Sequence, residues 1–196
     1  MDLQQRIRDH FEDSARLKQE AAAMLAGPIA EAVESITAAL AADRKLLICG
    51  NGGSASDSQH MAAELIGRFE RERPELGAIA LTTDSSILTA VGNDYAFEQV
   101  FARQVRGLGR EGDILVAIST SGNSANVVAA AEAARERGLS LVALTGRDGG
   151  RLGAMCGEGD IHLCVPHQRT ARIQEVHLLI IHCLCDGIDA SLLGEE

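Results

Sequence analysis

Ile114-Leu115-Val116-Ala117-Ile118-Ser119-Thr120-Ser121-Gly122-Asn123-Ser124 is a short apolar run that ends in a hydroxyl-rich turn. An unbroken aliphatic run of this length reads as an inner strand of a parallel sheet, buried on both faces. The helical pattern from Ser124 to about Arg137 makes the turn a strand-to-helix connection. The same arrangement occurs upstream. The run Lys45 to Cys49 leads through Gly50-Asn51-Gly52-Gly53-Ser54 into a helical segment, capped by Ser54 and reaching about Arg68. A buried strand feeding a helix through a Gly/Ser turn gathers backbone N–H groups and the positive end of the helix dipole at one point, which suits an anion. Each turn alone also reads as an ordinary connection. Two of them in one chain point to a phosphorylated small molecule.

The remaining segments extend this alternation. Further strands are expected at Ala78 to Thr82, Leu139 to Thr145 and Ile161 to Val165, with a turn region from Gly146 to Gly150. Helices are expected at Ser85 to Val91, Glu98 to Leu108 and Thr170 to Leu193. At the N-terminus, Leu3, Ile7, Phe11, Leu17, Ala21 and Leu25 recur at helical spacing to about residue 26. Pro28 suits the first turn of a second helix running to about Ala42. The fold class is therefore α/β: a three-layer αβα sandwich on a five-stranded parallel sheet, one domain over 1–196 with 1–42 as an N-terminal helical extension. The C-terminal helix is apolar around most of its girth, at Ile173, Val176, Leu178, Leu179, Ile180, Ile181 and Leu184. A helix like that needs cover on several sides, and oligomerisation supplies it.

Composition narrows the function classes. The 196 residues are 46% hydrophobic but only 3% aromatic, so the core is aliphatic, and the mean hydropathy is near zero, +0.03. A net charge of −10 argues against a nucleic-acid surface. The five cysteines include no CxxC pair and read as buried free thiols of a reducing compartment. No N-terminal stretch resembles a signal peptide, and no segment has 18 uninterrupted apolar residues, so a cytoplasmic protein without membrane association is expected. GNGGS lacks the GxGxxG spacing, and neither turn carries a P-loop lysine, which disfavours nucleotides.

Polar residues on two helices suggest chemistry. His60 and Glu64 are four apart and share a helix face, a spacing that can bind a metal or move protons and that also occurs in plain surface pairs. Gln174, Glu175, His177 and His182 interrupt the aliphatic C-terminal helix and need partners. Gln174 and His182 lie about 12 Å apart along that helix, so they can embrace one site from two ends. His177 reads as a packing histidine. Arg68, Arg71 and Arg73 alternate with Glu70 and Glu72 and read as a solvated charged segment. Asn93-Asp94 suits sugar hydroxyls or a turn, and Asp84 follows the end of a strand, where ligands bind in such sheets.

With these residues in view, the sequence resembles the SIS (sugar isomerase) superfamily, and within it the phosphoheptose isomerase family. The resemblance spans the whole chain and is carried by CGNGGSASDSQHMAAEL (49–65), LTTDSSILTAVGNDY (81–95), AISTSGNSANV (117–127) and ARIQEVHLLIIHCLCD (171–186). It implies an aldose–ketose isomerase that turns sedoheptulose 7-phosphate into D-glycero-D-manno-heptose 7-phosphate for lipopolysaccharide core heptose. It implies substrate contacts at Asn51, Gly52, Gly53, Glu64, Asn93, Asp94, Ser119, Thr120, Ser121, Ser124 and Gln174. It further implies one zinc ion per subunit on His60, Glu64, Gln174 and His182, an acid–base pair of Glu64 and His182, and a homotetramer with active sites at subunit interfaces. A branch of the same superfamily is non-catalytic and binds the replication initiator DnaA, and it is similar along the full length too. A member of that branch lacks the acidic residue at position 64 and the histidine at position 182, and both are present here.

Overall fold

The computed structural model describes residues 2–194. Five parallel strands form one sheet in the order β2-β1-β3-β4-β5: β1 (Leu46–Gly50), β2 (Ala78–Ala80), β3 (Ile114–Ser119), β4 (Ser140–Gly146) and β5 (Ile161–Val165). Alternate side chains along each strand serve opposite layers. Leu46, Ile48, Ile114, Val116, Ile118, Val142, Leu144, Leu163 and Val165 join a core with α1 (Leu3–Ala41), α2 (Gly53–Ile66) and α7 (Thr170–Leu193). Leu47, Cys49, Leu115, Ala117, Leu141 and Ala143 join the other core, under α3 (Ser85–Asp94), α4 (Ala102–Leu108), α5 (Ala125–Glu136) and α6 (Gly150–Met155). The alanines of α5 at 130, 131, 133 and 134 are fully buried, and small side chains there let the helix approach the sheet closely. The three-layer α/β architecture matches the expectation.

The two N-terminal helices expected from Pro28 are one. Pro28 lies inside α1. Its missing N–H and its ring cost an interior helix about 3 kcal/mol. Burial on both sides of it offsets that cost: Leu25, Ala32 and Ile36 pack into the core that α1 shares with α7. Ser54 is not the N-cap of α2. Gly52, at φ +55°, turns the chain two residues earlier, and Ser54 is buried in the first turn. The helix expected at 98–108 divides into a 3-10 turn, Phe97–Gln99, and α4. Val100, Phe101 and Ala102, at the junction, are all buried. Helix α6 follows the expected Gly146-to-Gly150 turn directly and has no counterpart in the sequence pattern, since Gly150 and Gly153 are poor helix formers. It is pinned by Leu152 N–H donating to the Gly122 carbonyl (2.8 Å).

Candidate active site

From β1 the chain proceeds to β2 on one side, and from β3 to β4 on the other. The sheet therefore reverses its winding between β1 and β3, and the carboxyl ends of such a pair open a crevice. Both hydroxyl- and glycine-rich turns lie there, because they are the segments that follow β1 and β3. Asn51 and Asn126 straddle the crevice as a reciprocal amide pair, each Nδ2 donating to the other's Oδ1 at 2.8 Å. This pair fixes the 50–53 turn relative to the first turn of α5.

The 119–124 turn is ordered by its own polar groups. Ser119 and Ser124 share a hydroxyl–hydroxyl bond of 2.9 Å. The Asn123 N–H donates to Ser121 Oγ (3.1 Å), and the Asn123 side-chain amide donates to the Ser121 carbonyl (2.8 Å). Gly122, at φ +65°, packs so tightly on Gly149 that a Cβ would fall 1.9 Å from the Gly149 carbonyl oxygen. Ser124 stands at the N-cap of α5, but its hydroxyl is turned to Ser119, and no side chain caps the helix. Helix α2 likewise begins at Gly52 without a side-chain cap. Two helix N-termini with uncapped first turns face a crevice lined by Ser119, Thr120, Ser121 and Ser124, which suits a phosphate.

Beside this anion end, α2 and α7 run side by side. Gln174 lies over Gly53: a Cβ on Gly53 would sit 2.5 Å from Gln174 Nε2. Two turns further on, the His60 and His182 rings meet edge to face with centroids 5.2 Å apart, and Phe69 covers His182 at 5.7 Å. His60 Nε2 is bonded to Glu64 Oε1 at 2.8 Å. An imidazole, a carboxylate and a second imidazole therefore share one half-buried seam. Asp57, one turn before His60, has a buried Oδ2 without a hydrogen-bond partner among the described residues. Burial raises its carboxyl above the usual range, against the pull of His60.

His60, Glu64 and His182 are nitrogen and oxygen donors of the kind zinc takes. As arranged, they form a hydrogen-bonded cluster. Among the described residues no three His, Cys, Asp or Glu side chains stand as a ready coordination shell. Gln174 is at the other end of the seam, since Gly53 and His60 are about 10 Å apart along α2. It must leave Gly53 to join the other three.

Other expected residues have different positions. Asn93 and Asp94 end α3, bonded to each other (2.8 Å) and exposed. Asp84 is the N-cap of α3 and accepts from the Ile87 N–H. His177 is buried and its Nε2 bonds the Thr145 carbonyl (2.8 Å), while burial pushes its pKa down to about 4. Arg68 pairs with Glu72 in solvent, as read. Arg73 departs from the solvated-segment reading. Its side chain is 1% exposed and paired with Asp189, at 3%. Asn126 was not singled out either. The signal for Asn126 was a polar residue between Ala125 and Val127 at a helical position, which must be bonded if buried; Arg73, between Glu72 and Pro74 outside any helix, carried no such signal.

The family model described as SIS domain matches residues 9–146. Phosphoheptose isomerase of Dechloromonas aromatica (strain RCB) is 65% identical over 196 residues, 100% of both chains. That of Methylibium petroleiphilum is 62% identical over 194 residues, 99% of this chain and 97% of the relative. Among solved structures, phosphoheptose isomerase GmhA from Neisseria gonorrhoeae superimposes with a TM-score of 0.92 at 57% identity, covering 96% of this chain and 99% of that one. A phosphoheptose isomerase from Francisella tularensis gives 0.94 at 47% identity, with the same coverage.

Proposed function

The chain belongs to the SIS-domain family of phosphoheptose isomerases, and on that premise we propose how its residues carry out the aldose–ketose isomerisation of sedoheptulose 7-phosphate to D-glycero-D-manno-heptose 7-phosphate. The observation that carries this reading is the juxtaposition at the sheet's switch point: an anion-binding turn on one side and a carboxylate–imidazole seam on the other.

The phosphate is received by Ser119, Thr120, Ser121 and Ser124, with Asn51, Gly52 and Gly53 closing the crevice and Gln174 reaching a sugar oxygen. Asn93 and Asp94 contact sugar hydroxyls. Glu64 takes a proton from C1 of the ketose, giving an enediol in which C1 and C2 share the double bond. The C2 carbonyl oxygen gains a proton as the enediol forms, His182 delivers a second to C2, and the proton on the C1 hydroxyl leaves as the aldehyde forms, so that two protons are taken from the sugar and two returned. Fixing the phosphate several bonds from the reacting carbons orients them without chemistry of its own.

Zinc is the metal we assign to this seam. His60, Glu64 and His182 would hold it, joined by Gln174. Bound there, the ion would polarise the substrate's C1 and C2 oxygens.

A homotetramer with active sites at interfaces fits the long helices. The most apolar 18-residue stretches of α1 and α7 are only 28% and 44% buried within the subunit. Leu3, Ile7 and Phe11 form an exposed stripe at the start of α1. The product's use in lipopolysaccharide core heptose and a cytoplasmic location complete the reading. Initiator binding draws no support: the relatives described above are named phosphoheptose isomerases, and Glu64 and His182 are both retained.

The test is an NMR or coupled assay with sedoheptulose 7-phosphate on wild type, E64Q and H182A, with and without chelator. Turnover by wild type and its loss in both variants is the expected result. Near-normal turnover by E64Q would remove Glu64 as the base, and indifference to chelator would remove zinc.

A further inference from the structure

Nε of Arg73 donates to Asp189 Oδ1 at 2.6 Å. Nη2 donates to the backbone carbonyl of Glu64 at 2.8 Å, and Nη1 to the carbonyls of Leu65 (2.9 Å) and Pro74 (3.2 Å). One buried guanidinium thus takes up carbonyls at the C-terminal end of α2, where a helix lacks internal donors, and ties them to α7. The two helices joined here carry Glu64 and His182. Asp189 lies two turns beyond His182 on α7, and the bond on α2 is to Glu64 itself. Only the planar fork of arginine reaches several acceptors at once in fixed geometry.

We infer that Arg73, held by Asp189, is a positioning residue for the isomerisation: it sets the separation of Glu64 and His182 by fixing the last turn of α2 against α7. This rests on the assignment of Glu64 and His182 as the acid–base pair. The phosphate turn lies on β3 and α5, and Arg73 bonds neither element. Loss of the clamp therefore acts on the chemical step and leaves substrate capture in place.

Removing one partner alone leaves a buried unpaired charge, because the other oxygen of Asp189 is buried without a partner. The informative variants are therefore R73K, which keeps the charge but loses the fork, and the charge-free double variant R73M/D189L. Wild type, E64Q and both variants are compared as intact oligomers for thermal stability, kcat and KM with sedoheptulose 7-phosphate. The expected result is a kcat at least about tenfold lower in both variants with KM changed less than about twofold, the double variant melting close to wild type. Wild-type kcat in the folded double variant overturns the proposal, as does a rise in KM at unchanged kcat. Should the double variant fail to fold, R73K decides by the same split. An active E64Q, in contrast, would overturn the acid–base assignment itself, a result readable without either clamp variant.

Discussion

At the scale of single residues, the site depends on where side chains are missing as well as where they stand. Gly53 has no side chain because Gln174 occupies that space. A methyl group there meets the far end of a flexible side chain, so Gly53→Ala should fold normally and lose activity by displacing Gln174. Heat denaturation and steady-state kinetics on the same preparation check this, and unchanged kcat/KM would detach Gln174 from the substrate. Glu64→Gln keeps the shape of the seam but removes the proposed base, with an expected loss in kcat on the order of 10²–10⁴. Ser121→Ala should lower kcat as well as raise KM if, as proposed, this turn holds the phosphate and so orients the reacting carbons.

At the scale of elements, the strands and the two turns were legible because burial and turn chemistry are local properties of sequence. β5 and α7 are found where they were expected, and the other strands shift by one or two residues at their ends. The joints between elements were less legible. Whether Pro28 ends a helix depends on what packs on either side of it, which is a tertiary matter. That Asn51 meets Asn126, 75 positions away, follows from β1 and β3 being neighbours in the sheet, and no local pattern records it. The burial of Arg73 was hidden for the same reason, since its partner is 116 positions away. The amide pair yields a prediction at this scale. Asn126→Ala removes both hydrogen bonds of the pair from the Asn51 side chain and should cost about 1–3 kcal/mol of stability. A double-mutant cycle with Asn51→Ala should show non-additivity in both stability and kcat/KM, because the residues act as one unit.

At the scale of the whole molecule, the apolar stripe of α1 bears on the proposed tetramer and the buried histidine of α7 on the acid limit. Phe11→Asp places a charge on a residue that is 75% exposed in the isolated subunit. It should leave the subunit folded, reduce the oligomer measured by light scattering, and lower turnover if neighbouring subunits complete the site. His177 has a pKa of about 4 in the folded chain against 6.5 in the open, so protons favour the unfolded state. Its contribution is complete above pH 6.5 and is lost as the pH falls toward 4, up to about 3 kcal/mol. His177→Asn should be less stable at neutral pH, yet lose less on acidification, as read from melting temperatures across that window.

The neutral amide pair over the crevice also gives this protein a chemical clock. Asn51 precedes Gly52, and a glycine nitrogen without a neighbouring side chain attacks an asparagine amide most readily, expelling ammonia and closing a succinimide that water opens to isoaspartate or aspartate. While Asn126 holds the amide, that attack is hindered. Either product has a carboxylate in place of the amide, which loses the bond donated to Asn126 Oδ1 and puts a negative charge at the turn proposed to receive the phosphate. Ageing preparations should therefore lose affinity for the sugar phosphate in step with deamidation at Asn51, followed by peptide mapping, and Asn126→Ala should make the loss faster.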